Sequence, residues 1–413
     1  MDAIFKTSWK TQINIMWIGQ AILMAMMAMS LPYWPLYITQ LGDFSPLEIR
    51  YWSAAIYLAP FISATFSSPF WGRMGDKRGY KPMVMRACLG LLITQTCILL
   101  VSNVFLIFVI RLIQGLLAGF IAAAQAWAME ISPENQRGAT IGKLQSATAI
   151  GNLMGPLLGG IIATYAGYQA IFSSSSIICL LVTIMFFFLL ESTPHTKNVL
   201  SDELSLTDFK FFSSLQKNIV SLLSVIIIMQ LARAMITPIF ALFVTERLGG
   251  NDMTVGVLYA ATGLMIFISA PLWGKYFDAN MGKDQHASNM IAGLLFASAV
   301  LQIFHAYSES ATAIFILRLL WGICLGALLP ALIRLLVDNG KETERGLILG
   351  FGNSATKFGN LLGILLGALI EAHFGYRDSF LLNAILYFAA GGIILLYIKP
   401  LQTFSEKRYS LEG

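Results

Sequence analysis

Long apolar runs separated by short polar breaks cover nearly the whole chain. Twelve of them approach or exceed the roughly 20 residues that a helix needs to cross a hydrocarbon core. They are residues 12–39, 50–71, 83–102, 104–129, 139–164, 169–190, 218–245, 254–273, 287–308, 312–336, 347–371 and 377–398. The pattern predicts an all-α integral membrane fold with twelve transmembrane helices. Composition agrees: the 413 residues are 57% hydrophobic and 12% charged, against about 25% charged in a soluble domain.

The pattern also repeats. Arg-Gly-Ala-Thr-Ile-Gly (137–142) returns as Arg-Gly-Leu-Ile-Leu-Gly (345–350), an offset of 208 (345 minus 137). At the same offset, Gly-Asn-Leu-Met-Gly-Pro-Leu-Leu-Gly-Gly (151–160) returns as Gly-Asn-Leu-Leu-Gly-Ile-Leu-Leu-Gly-Ala (359–368), and Gly167-Tyr168 as Gly375-Tyr376. Pro-Phe-Trp-Gly (69–72) matches Pro-Leu-Trp-Gly (271–274), and Arg111 matches Arg318. A half-chain repeat built from apolar helices implies two pseudo-symmetric six-helix bundles with a site between them. The expected division is 1–190 for the first bundle, 191–217 for a cytoplasmic linker, and 218–413 for the second bundle with a short cytoplasmic tail.

The net charge is +5, but its placement says more. With the N-terminus cytoplasmic, 19 of the 27 Lys and Arg residues face the cytoplasm, and Arg50, Arg247 and Arg377 face outward. That bias predicts both termini inside. The positive charge is thus a topology signal, and no nucleic-acid partner is expected. No cleavable signal peptide is visible. Cys88, Cys97, Cys179 and Cys324 all fall within predicted helices, so no structural disulfide is expected. The linker carries both signs of charge. Its segment Leu-Thr-Asp-Phe-Lys-Phe-Phe is either a short amphipathic helix on the membrane surface or part of a plain tether.

The loop after the second run reads Gly72-Arg-Met-Gly-Asp-Lys-Arg-Gly-Tyr-Lys-Pro82. Gly75 and Gly79 permit a tight turn. Asp76 among Arg73, Lys77, Arg78 and Lys81 can pair with these cations or approach another helix N-terminus. Such a cluster can hold one bundle against the other and release it. Topology determinants plus a turn would explain the cations alone. The Gly-x-x-x-Asp spacing, repeated at Gly274 and Asp278, fits that plainer reading poorly.

This loop resembles motif A of the major facilitator superfamily, with Tyr80 in place of a common basic residue. Arg111-Leu-Ile-Gln114-Gly115 resembles motif B, and Gly151-x-x-x-Gly155-Pro156-x-x-Gly159-Gly160 resembles the antiporter motif C. The resemblance covers the whole chain. It is greatest to the twelve-helix drug:proton antiporters, especially MdtG-like exporters, through Ser-Pro-Phe-Trp-Gly (68–72), Gly-Ala-Leu-Leu-Pro-Ala (326–331) and Leu-Tyr-Ile-Thr-Gln-Leu-Gly (36–42). It implies the major facilitator fold, alternating access, proton-coupled antiport and multidrug-efflux-like export from a bacterial inner membrane. It also implies gating roles for Gly72, Asp76, Arg78, Gly79, Asp278 and Arg137.

Gly151, Gly155 and Gly159 are four apart and line one helix face, which lets a neighbouring helix approach closely. Pro156 removes one helical hydrogen bond, and the second copy has Ile364 there. Small-residue packing with no bearing on direction is the plainer alternative.

Ionisable groups at membrane depth are costly and usually face a cavity or a partner. Arg111 and Arg318 are equivalent in the two halves, whereas Arg233 and Lys357 look like cavity residues. No Asp or Glu lies deep in the first, second, fifth, seventh or eighth run, while Glu130 and Glu371 sit near helix ends. A cavity holding cations without a deep anion attracts an anionic substrate, such as a polycarboxylate metabolite or siderophore. The alternative is that Arg233 and Lys357 snorkel, or pair with Glu130 or Glu371. Met27 and Trp34, in a stretch crowded with Met16, Met24, Met26 and Met29, suit either a permissive site or a lipid-facing surface. Gln125, Trp127, Gln230, Trp321, Asn353 and Asn360 are further candidates for substrate contact.

An enzyme is disfavoured: His-Glu-x-x-His, Gly-x-Ser-x-Gly and Walker-type sequences are all missing. The four histidines are scattered, so no metal and no cofactor is expected. A receptor would need an exposed signalling domain, and a channel fits two rocking bundles poorly. The expected partners are a small-molecule substrate, protons and the lipid bilayer, with the chain a monomer. Asp76, Glu130 and Glu371 are candidate proton carriers by residue type alone.

Overall fold

The computed structural model describes residues 8–191, 217–279, 284–339 and 345–397. The linker segment read as an amphipathic helix or tether lies outside them. Their regular structure is helical: α1 (Trp9–Ser30), a 3-10 turn (Leu31–Tyr33), α2 (Trp34–Ile38), α3 (Pro46–Arg78), α4 (Tyr80–Leu99), α5 (Val104–Leu116), α6 (Phe120–Ile131), α7 (Arg137–Ala166) and α8 (Tyr168–Leu189). The second half contains α9 (Lys217–Met235), α10 (Phe240–Leu242), a π turn (Phe243–Arg247), α11 (Asp252–Ala279), α12 (Asp284–Tyr307), α13 (Ala311–Asp338) and α14 (Arg345–Tyr397).

Ten stretches among the described residues are long and apolar enough to cross a membrane. The last, Leu347–Leu396, has 50 residues, or about 75 Å of helix at 1.5 Å per residue. That exceeds two 30 Å hydrocarbon cores, and Gly375 at φ 83° breaks it into two arms. α3 is the remaining span expected from the sequence. Its 33 residues include several serines, and Ser53, Ser63 and Ser68 return their hydroxyls to carbonyls four residues back.

The chain forms two compact units. One comprises the described parts of Met1–Asp202 with Pro238–Gly263, and the other those of Glu203–Thr237 with Leu264–Gly413. In the first unit α1 packs on α7 and α8, α3 on α5, and α4 on α8; in the second, α14 packs on α9 and α12.

The sequence repeat reappears as packing. A Cβ on Gly151 would stand 2.5 Å from Met24 Cβ, and one on Gly155 2.5 Å from Ala28 Cβ, so α7 meets α1 through bare backbone. The equivalent Gly359 and Gly363 meet α9 in the same way, 2.5 Å from the Ile227 carbonyl and 2.9 Å from Ala234 Cβ. Two tryptophans also correspond. Trp71 Nε1 donates to the Leu116 carbonyl at 2.7 Å, and Trp273 Nε1 to the Ile323 carbonyl at 2.9 Å.

The Tyr57 hydroxyl donates to the Leu31 carbonyl in the 3-10 turn. A proline inside a helix leaves one carbonyl without its i+4 donor, and a long side chain can fill the vacancy. Pro60 cannot serve Ile56, and Arg111 Nε donates there at 3.1 Å.

Candidate functional site

The α3–α4 turn is built on Gly79, whose φ of 86° suits glycine alone. Its N–H donates to the Gly75 carbonyl at 2.8 Å. Asp76 accepts a hydrogen bond from Tyr80, so the residue that departs from the family pattern is itself the carboxylate's partner. Lys81 donates to the Leu190 carbonyl at the end of α8, while Arg78 and Gly72 are exposed. Behind the turn lies a cavity of about 220 Å³ lined by Trp71, Gly72, Asp76, Tyr80 and Arg86. Arg86 lies over the Trp71 ring at 3.7 Å and donates to the Ala118 carbonyl at 3.0 Å, where α5 breaks before α6. In the sequence Arg86 is one of the 19 cations facing the cytoplasm, and its position inside the run 83–102 is the signal that sets it apart.

Arg137 donates to the Met129 carbonyl at 3.2 Å and lies 3.7 Å from Glu134, an exposed pair of little energetic weight. The side chain of Asp278 lies outside the described set.

Arg111 is buried. Besides Ile56 it bonds Gln114 Oε1 at 2.5 Å and lies 5.3 Å from the Trp34 ring centroid. Arg318 is likewise buried, 5.4 Å from the Trp321 ring. The two arginines therefore share burial and an indole neighbour. On α7, Gly151, Gly155 and Gly159 face α1, while Gly160 and the Pro156 carbonyl face the start of α11.

The substrate-contact candidates divide. Trp34 and Trp127 are fully buried; Trp34 packs on Phe172 at 4.9 Å, and Trp127 donates to the Glu191 carbonyl at 3.3 Å. Met16, Met24, Met26 and Met29 are buried too, in core rather than facing lipid. Met27 and Gln125 are half-buried.

In the second unit, Gln230 is buried on the α9 face that receives Gly359. Arg233, one turn on, is half-buried. The phenol of Tyr387 faces it within electrostatic reach and lies against Trp321. Asn383 Nδ2 donates to the Ala232 carbonyl at 2.6 Å. Lys357 and Asn353 are exposed and Asn360 is half-buried, all on the first arm of α14. The structure thus brings Arg233 and Trp321 together with Tyr387, while Asn383 bonds the backbone beside Arg233; Tyr387 and Asn383 are polar residues the sequence did not single out.

A sequence model described as "Major Facilitator Superfamily" matches residues 16–278 and 222–412. The chain is 32% identical over 392 residues to "Multidrug resistance protein MdtG" of Dickeya zeae, covering 93% of each chain. It is 33% identical over 384 residues to the protein of that name from Escherichia coli, covering 91% of this chain and 92% of that one. Among solved structures, a D-xylose-proton symporter superposes with a TM-score of 0.73 at 14% identity, covering 95% of this chain and 98% of that chain.

Proposed function

Because the chain belongs to the major facilitator superfamily and is an integral membrane secondary transporter rather than an enzyme, we propose that it exports small organic molecules, drug-like in breadth, in exchange for protons. Similarity along nearly the full length to proteins named for multidrug resistance carries this reading. The α7 helix supports it, since it keeps the glycines and proline that resemble the antiporter motif. Export proceeds by alternating access, with residues 1–190 and 218–413 rocking as bundles about the linker 191–217. The chain works as a monomer in a bacterial inner membrane with both termini cytoplasmic. The gating roles fall to Gly72, Asp76, Arg78, Gly79, Arg137 and Asp278.

The test is transport by purified protein in liposomes under an imposed pH gradient, following both substrate and protons. Gradient-driven movement of a lipophilic cationic dye, with counter-movement of protons, is the expected result. Failure across a panel of cationic and neutral drugs would overturn the reading.

One observation favours a second reading, in which the substrate carries an anionic group. Arg233 is a guanidinium at membrane depth, and no ion pair joins it to a carboxylate among the described residues. A carboxylate substrate would complete its hydrogen bonding. This reading predicts polycarboxylate transport that is lost in Arg233→Ala and weakened in Lys357→Ala. Unchanged anion flux in both variants would rule it out.

A further inference from the structure

Three segments distant in sequence meet at the far end of α1. Asn251 caps α11, its Oδ1 accepting from Thr254 N at 3.0 Å, and so fixes Asp252 as the first helical residue. Tyr168, at the start of α8, donates its hydroxyl to Asp252 Oδ1 at 2.7 Å. The Tyr33 hydroxyl, in the 3-10 turn after α1, lies 3.2 Å from the Asp252 carbonyl and 3.1 Å from the Pro156 carbonyl. The Tyr33 and Tyr168 rings stack at 6.2 Å. One turn along α11, a Cβ on Gly256 would stand 2.7 Å from the Pro156 carbonyl and 3.2 Å from Gly160 Cα.

We propose that Asp252, Tyr168 and Tyr33 form a latch holding the start of α11 against the ends of α1, α7 and α8, and that each transport cycle must break it. The proposal rests on the alternating-access reading. It makes Asp252 a positioning residue that touches no substrate.

The physical argument is a contrast between two glycine seams on the same helix. Where α7 meets α1, the neighbours Met24, Ala28 and Met29 are buried, so separating the helices would expose apolar surface and is costly. Where α7 meets α11, Gly160 faces Gly256 with backbone against backbone, so that contact buries no side chain. Tyr33 is buried beside it, and the outer hold is the Tyr168–Asp252 hydrogen bond. Asp252 and Tyr168 are only half-buried, so water can replace their bond when it opens. The attached segment can also move. It begins where α9 stops before Pro238, passes through the π turn, and turns at Gly249 with φ 63°. The boundary between the two compact units falls inside α11, after Gly263.

The test uses the full-length chain in lipid nanodiscs, cysteine-free except for spin labels at the exposed positions Gln169 and Arg247. The label-to-label distance is read for the parent, Tyr168→Phe, Asp252→Ala and the double variant. Tyr168→Phe keeps the ring stack and so protects folding. A charge-assisted hydrogen bond lost at one point predicts roughly a tenfold rise in the ratio of long to short distances. The two single variants should agree, and the double variant should go no further. In liposomes the same variants should change turnover of a lipophilic cationic dye and leave its KM unaltered. An unchanged distance distribution in both singles, or additive effects in the double, would overturn the latch. The distances need no substrate, so a failed transport assay in the parent would count against the exporter reading and leave the latch decidable.

Discussion

Arg111 donates its Nε–H to the carbonyl of Ile56 at 3.1 Å, and that carbonyl lacks its helical donor because Pro60 stands four residues on. A buried guanidinium is costly, and here it completes the backbone of a neighbouring helix. Arg111→Met should destabilise the protein by about 3 kcal/mol, since it strips one buried carbonyl and frees Gln114 as well. Pro60→Ala returns an N–H to Ile56, so in that background the loss should shrink by about 1 kcal/mol. Denaturant titration of all four proteins measures the cycle. Equal losses in both backgrounds would separate the arginine from the proline.

Trp71 and Trp273 do one job in the two halves, each bonding a carbonyl of a neighbouring helix at 2.7 and 2.9 Å. Trp71→Phe and Trp273→Phe should each lose about 1 kcal/mol. Trp71 also carries Arg86 at 3.7 Å, so its loss should be the larger by about 0.5–1 kcal/mol. Thermal unfolding of the two variants side by side decides this.

The glycines separate packing from gating. Gly155→Leu and Gly363→Leu drive a side chain into a helix already at contact and should sharply lower folded yield, each losing more than the 1–3 kcal/mol of ordinary overpacking. A Cβ at Gly72 meets nothing within 4 Å. Gly72→Ala should therefore fold normally. Reduced transport with normal yield would place its constraint in another state of the cycle, and unchanged transport would remove Gly72 from the gating set.

Glu48 gives an acid-side prediction. It closes the capping box of α3, accepting from Ser45 N and Oγ at 2.8 Å each. The backbone donor first, and then the hydroxyl, hold its carboxyl below the usual range. A folded-state value lowered in this way stabilises the protein above the unfolded-state value of about 4.3. That contribution fades as pH falls through the folded-state value. Glu48→Gln should flatten the pH dependence of the unfolding midpoint in this acid window and leave it elsewhere unchanged.

The sequence exposed whatever repeats or is written in glycine and proline. The offset of 208 that linked Gly151 to Gly359 marks one close helix approach made twice, and Gly375, paired with Gly167, is where the last long helix turns. Residue facing was poorly legible. A helix apolar on every side carries no stripe to separate core from lipid, so Trp34, Trp127 and the α1 methionines could be assigned to a cavity, to lipid or to core with equal ease. Asp252 escaped for another reason. An acid at a helix start is ordinary, and its partner Tyr168 lies 84 positions away. Asn383 and Tyr387 likewise gave no local sign of standing beside Arg233.

The first compact unit needs a piece of chain from the second half, Pro238–Gly263. A ribosome adds roughly 5–20 residues per second. The first eight helices can therefore be inserted and paired roughly 2–15 seconds before the segment that completes them has been made. During that interval Tyr33 and Tyr168 await Asp252, and the polar end they form stays uncovered. Birth order thus leaves the Tyr168–Asp252 contact to form only after Met1–Asp202 has been made.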